Sequence, residues 1–73
     1  MEELNCLGDM CPLPLMKLIK IMKLKPHETI KIITDHSCSA ENIRDYCKKR
    51  NLTLEEYEPI SGVWELIISN YKV

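Results

Sequence analysis

The side chains with chemistry to offer are four cysteines and two histidines: Cys6, Cys11, Cys38, Cys47, His27 and His36. Cys11 has the most unusual setting. It follows Gly8 by three residues and opens the run Cys11-Pro12-Leu13-Pro14, after which a helical pattern begins. A cysteine reacts as its thiolate, and a helix N-terminus favours that anion, lowering the thiol from a reference pKa of about 8.5. With Cys11 as N-cap, Pro12 stands at N1 and Pro14 at N3, where the missing N–H groups have no partner inside a helix. The prolines then cost little, and their fixed φ stiffens the turn beneath the sulfur. The Leu13 N–H is left as the main backbone donor for a sulfur anion, whether thiolate or persulfide. A helix start with a small, tolerated cap residue would read the same way, and position alone does not separate the two.

Cys38 stands two residues after His36 and ahead of a second helical pattern. The imidazole would favour its ionised form. The plainer reading is a cysteine tolerated in a first turn that Asp35, Ser37 or Ser39 caps. Cys6 and Cys47 fall on apolar faces and are expected in the core, and His27 is expected in a loop. There is no Cys-x-x-Cys pair, the histidines complete no familiar ligand spacing, and the acidic start "MEELN" is unlike an export signal. Free thiols are therefore expected in place of disulfides, with no metal site and no cofactor.

The elements that must position these groups follow from periodicity. Residues 2–7 alternate and suit a short strand with Leu4 and Cys6 facing the core. From residue 12 to about 24, Leu15, Leu18, Ile19 and Met22 recur at helical spacing, with Lys17, Lys20 and Lys23 between them on a face that reads as solvated. Pro26 ends that helix, and residues 29–34 form a β-branched strand. A second helix from about 39 to 50 puts Ala40, Ile43 and Cys47 on one face and Lys48, Lys49 and Arg50 at its C-terminal end, with Asn51 as its stop. Residues 52–58 and 63–71 are strands joined by "PISG", with Trp64, Leu66 and Ile68 facing the core. The order β-α-β-α-β-β and the right-handed crossover rule predict a two-layer α/β sandwich: a four-stranded mixed sheet with both helices on one face. The loops carrying Cys11 and Cys38 then leave parallel strands at the same end of the sheet, where α/β proteins place ligand and catalytic sites.

Seventy-three residues make a single domain, 1–73. Ten basic and eleven acidic side chains leave a net charge of -1, which argues against direct nucleic-acid binding. No apolar run approaches the roughly twenty residues a membrane span needs. The chain is expected in the cytoplasm.

The run "LNCLGDMCPLPLMKLIKIMKLKPHETIKIITD" resembles the start of the TusA family of sulfur carriers, also called SirA-like or YeeD-like, and the likeness extends over nearly the whole chain. Its specific element is the Cys-Pro-x-Pro motif after Leu7-Gly8. The resemblance implies the same β-α-β-α-β-β sandwich, and a persulfide formed on Cys11 from sulfane sulfur and passed on to an acceptor. Implied partners are sulfur donor and acceptor proteins, with thiosulfate or a persulfide as the small-molecule source. After the second strand, "TDHSCSAENI" departs from the Asp-Pro segment usual in TusA and looks more like the branch associated with YeeE-type thiosulfate transporters. In that light Cys11 and Cys38 are the candidate catalytic thiols, with Pro12, Leu13, Pro14 and His36 in support. Cys38 would attack a sulfur-loaded Cys11 and release its cargo. The competing expectation is an adaptor or regulatory module that binds a transporter or enzyme and moves no sulfur. A third is a small metal-binding domain, in which Cys11, Cys38 and His36 would share one ion.

Overall fold

The computed structural model describes residues 1–70, and the expected order appears as β1 (Glu2–Cys6), α1 (Leu13–Leu24), β2 (Ile30–Thr34), α2 (Ser37–Arg50), β3 (Thr53–Ile60) and β4 (Val63–Ser69). Tyr71, expected to close the last strand, lies outside the described residues. The four strands form one sheet in the order β1-β2-β4-β3, with β1 and β2 parallel and the other neighbours antiparallel. The mixed sheet with two helices is the architecture the periodicity predicts.

Register explains why one face is covered. Leu4, Ile32 and Leu66 stand in one row, and Ile30, Ile68 and Leu54 in the next. Ile30, Ile32, Leu66 and Ile68 are fully buried in one cluster with Leu18 of α1 and Ala40, Ile43 and Cys47 of α2. Cys6 joins that core, and Trp64 packs against it in part. Each large apolar side chain buried this way contributes roughly 1.5–3 kcal/mol over leaving it in water. The alternate residues Glu3, Lys31, Glu65 and Glu55 line the other face, where Lys31 and Glu65 pair at 2.9 Å.

Four local features differ from expectation. In α1 the buried residues are Pro14 and Leu18, with Leu15, Ile21 and Met22 packing in part, so Ile21 takes the core position expected for Ile19. The α2 helix starts at Ser37, two residues early, because His36 in extended backbone (φ -115°, ψ 121°) serves as N-cap and its carbonyl accepts the Ser39 and Ala40 N–H groups at 3.1 and 3.3 Å. The first strand stops at Cys6, leaving Leu7 exposed. The β3–β4 connection is only Ser61-Gly62, with Gly62 at φ 86°, and Ile60 pairs with Val63. Pro59 fits inside β3 because that strand is at the sheet's edge and a register shift falls between Tyr57 and Ile60.

The helix stop is as expected: Asn51 takes the left-handed conformation (φ 56°, ψ 40°), and its N–H and that of Leu52 return to the Cys47 carbonyl. Trp64 is register partner to Thr34, so the β3–β4 turn emerges at the end of the sheet where β1 and β2 finish. The start of β1 and the finish of β4 are both at the other end, where Ile30 pairs with Glu2 and Ile68.

Candidate functional site

Cys6 and Thr34 are neighbours at the finishing ends of β1 and β2, so the loops that follow start side by side. Five residues past Cys6, in the loop, and four past Thr34, in the first turn of α2, Cys11 and Cys38 meet. Their Cα atoms are 6.0 Å apart and their sulfurs are joined in a disulfide across 27 residues of sequence. That separation lies within the window a disulfide spans without moving backbone. The expectation of four free thiols is therefore corrected for this pair: parallel strands carry two cysteines distant in sequence to one point. Cys6 and Cys47 are free and buried, as their apolar faces predict. Burial pushes the Cys47 thiol up to about 11 and also raises Cys6, so neither supplies thiolate near neutral pH.

The Cys-Pro-Leu-Pro run is used differently from expectation. Pro12 is the N-cap, Leu13 the first helical residue and Pro14 the second, which places Cys11 one residue ahead of the cap. The Leu13 N–H, expected to face a sulfur anion, donates to the Met10 carbonyl at 2.9 Å, and the Met16 N–H takes the Pro12 carbonyl at 3.0 Å. Leu13 thus closes a turn through Cys11 and holds the residue by its backbone. The Cys11–Pro12 peptide is cis.

Asp35 went unnoticed in the sequence except as a helix cap, yet it ties the two loops together. One of its carboxylate oxygens accepts the Gly8 N–H at 3.0 Å and meets His36 Nδ1 at 2.8 Å. The Gly8 hydrogen bond, aided by the imidazole, holds the Asp35 carboxyl below its ordinary range. Because a carboxylate only accepts, the contact has His36 Nδ1 donating to Asp35, which orients the ring. The signal that could have revealed Asp35 is topological: the residue after β2 faces the loop after its parallel neighbour β1. Lys17 of α1 pairs with Asp9 of the same loop, while Lys20 is exposed.

Both cysteines are partly buried, and the residues around Cys11 in sequence are apolar and open to solvent: Leu7, Met10, Leu13 and Met16 are 44% to 68% exposed. Apolar side chains thus stand open to solvent on both sides of Cys11 in sequence. A groove of about 400 Å³ between the C-terminal ends of the helices, lined by Met22, Tyr46, Arg50 and Leu52, lies at the far end from the two sulfurs. Among the described residues no three His, Cys, Asp or Glu side chains gather as a metal-holding group, and no helix is long and apolar enough to cross a membrane.

The family model described as "Sulfurtransferase TusA" matches residues 2–70. The chain is 27% identical over 73 residues to a protein of Archaeoglobus fulgidus named "Putative sulfur carrier protein", covering 99% of this chain and all of that one. It is 26% identical over 69 residues to a protein of Methanocaldococcus jannaschii described in the same words, with 93% and 92% covered. The crystal structure of a SirA-like protein from Desulfitobacterium hafniense superposes with a TM-score of 0.86 at 23% identity, over 99% of this chain and the whole of the other, and shows the same fold. With a family model spanning all but the outermost residues and the Cys-Pro-x-Pro run at the start of α1, the chain belongs to the TusA family of sulfurtransferases.

Proposed function

We propose that the chain works as one domain, a cytoplasmic sulfur carrier that forms a persulfide on Cys11 and hands its sulfur on. The observation that carries this reading is the placing of the family's motif cysteine immediately before a proline-stiffened helix start, within bonding reach of a second cysteine. Cys11 attacks as the thiolate, which the N-terminus of α1 favours. With thiosulfate as donor, its Sγ bonds to the outer sulfur, the sulfur–sulfur bond of thiosulfate breaks, and sulfite leaves with the electron pair. Pro12 and Pro14 stiffen the turn, Leu13 closes it, and His36, oriented by Asp35, supports Cys38. The "TDHSC" segment favours an outlet in thiosulfate uptake or use beside a YeeE-type membrane transporter, with donor and acceptor proteins on either side. No cofactor takes part.

The test is intact mass without reductant, after prior reduction and exposure to thiosulfate or to a persulfide donor. Wild type and Cys38→Ser should react, and Cys11→Ser should gain no sulfur at all. Sulfur gain in Cys11→Ser equal to that in Cys38→Ser would overturn the assignment. The exposed apolar residues around Cys11 favour one second reading, an adaptor for a transporter or enzyme. Under it, Cys11→Ser would keep the full biological effect.

A further inference from the structure

We infer that Cys11 and Cys38 form a dithiol–disulfide couple that releases carried sulfur as hydrosulfide and must be reset by an external dithiol, an inference that rests on the carrier reading of Cys11. A carrier that only hands sulfane sulfur from thiol to thiol needs one cysteine and consumes no electrons. This chain holds a second cysteine, brought by the first turn of α2 to bonding contact with the first. Both residues stand at helix N-termini, Cys11 just ahead of α1 and Cys38 second in α2, where a thiolate is favoured. The other two cysteines are buried in the core and take no part.

The step balances without any group from outside. With persulfide on Cys11, the Cys38 thiolate attacks Cys11 Sγ, a bond forms between the two Sγ atoms, and the bond from Cys11 Sγ to the outer sulfur breaks. The electron pair leaves on the outer sulfur, which departs as hydrosulfide. The sulfane sulfur gains two electrons and the cysteine pair loses two, so the product is the disulfide seen in the structure. A further turn requires a reductant that supplies two electrons by thiol–disulfide exchange. The chemical class of that partner is a dithiol, whose first thiol forms a mixed disulfide and whose second resolves it. Exposed Leu7, Met10, Leu13 and Met16, neighbours of Cys11 in sequence, offer it apolar surface, and methionine side chains adapt to a partner's shape.

The experiment uses the full chain, reduced, freed of reductant and given stoichiometric glutathione persulfide. Hydrosulfide and intact mass are read in quenched samples of wild type, Cys38→Ser and Cys38→Ala, the last two checked for folding by circular dichroism. The couple predicts that wild type releases hydrosulfide and ends lighter than the reduced chain by two hydrogens. Both Cys38 variants should instead retain one added sulfur and release at least tenfold less. A second addition of persulfide should yield hydrosulfide from wild type only after dithiothreitol has reopened the disulfide. If wild type keeps the added sulfur while Cys38 remains open to alkylation, the couple is overturned and the carrier reading stands. If neither wild type nor the Cys38 variants take up sulfur, the carrier reading fails, and the couple with it.

Discussion

At Asp35 a single carboxylate oxygen receives the Gly8 N–H and the His36 imidazole, so one acidic side chain joins the loop that carries Cys11 to the turn that carries Cys38. Its carboxyl is depressed below the ordinary 3.8 when folded, which fixes the sign of its pH dependence. A depressed carboxyl stabilises the fold above its unfolded pKa and loses that contribution as pH falls through the folded value. Melting temperature followed by circular dichroism from about pH 5 down to about pH 2 should therefore fall more steeply in wild type than in Asp35→Asn. Parallel curves for the two proteins would remove Asp35 from its clamping role. The sequence announced Cys11 by its proline neighbours and Cys38 by His36, but Asp35 looked like an ordinary cap because its partner, Gly8, is 27 residues away. Hydrogen bonds across such a separation leave no periodic trace.

Among the elements, the loop between β1 and α1 makes a backbone demand that favours glycine. Gly8 sits at φ 82° with nothing within 4 Å of where a Cβ would stand, so a side chain there meets no clash and the cost is conformational alone. Gly8→Ala should lower unfolding stability by about 1–2 kcal/mol, read from the urea midpoint at constant slope. A loss of only a few tenths would mean that the loop has another comfortable path. The helices and strands were legible because alternation and 3.6-residue spacing record burial directly, as with Ile30, Ile32, Leu66 and Ile68. The element ends were less so. Pro12 and Pro14 marked the start of α1 correctly within a residue, yet the cap fell on Pro12 because Leu13 turns back to the Met10 carbonyl. His36, which lacks the usual capping oxygen, starts α2 through its extended backbone alone. In α1 the face rotated toward Ile21 because the buried proline, Pro14, sets the line of contact through Leu18.

For the whole molecule, the Cys11–Cys38 bond matters because the apolar core of a chain this small is modest and the cross-link spans 27 residues. Such a closure contributes about 2–4 kcal/mol, mainly by restricting the unfolded chain. In a domain of this size each kcal/mol moves the melting temperature by about 4–8 °C. Adding reductant should therefore lower the wild-type midpoint by roughly 10 °C or more, and should leave Cys38→Ser, which has no such bond to lose, unmoved. A wild-type midpoint indifferent to reductant would mean that the two forms are equally stable. The redox state of the pair was not legible in the sequence, since neither residue type nor spacing separates two thiols from a disulfide, and only the parallel pairing of β1 with β2 brings the two cysteines to one point. That same pairing polarises the molecule. Both cysteines and the Ser61-Gly62 turn crowd one pole, while β1 begins and β4 finishes at the opposite one. A fusion partner, an affinity tag or a bead linked through β1 or β4 would hang from the far pole and leave the Cys11–Cys38 pole clear, so under the proposed function it should not obstruct loading or release of sulfur.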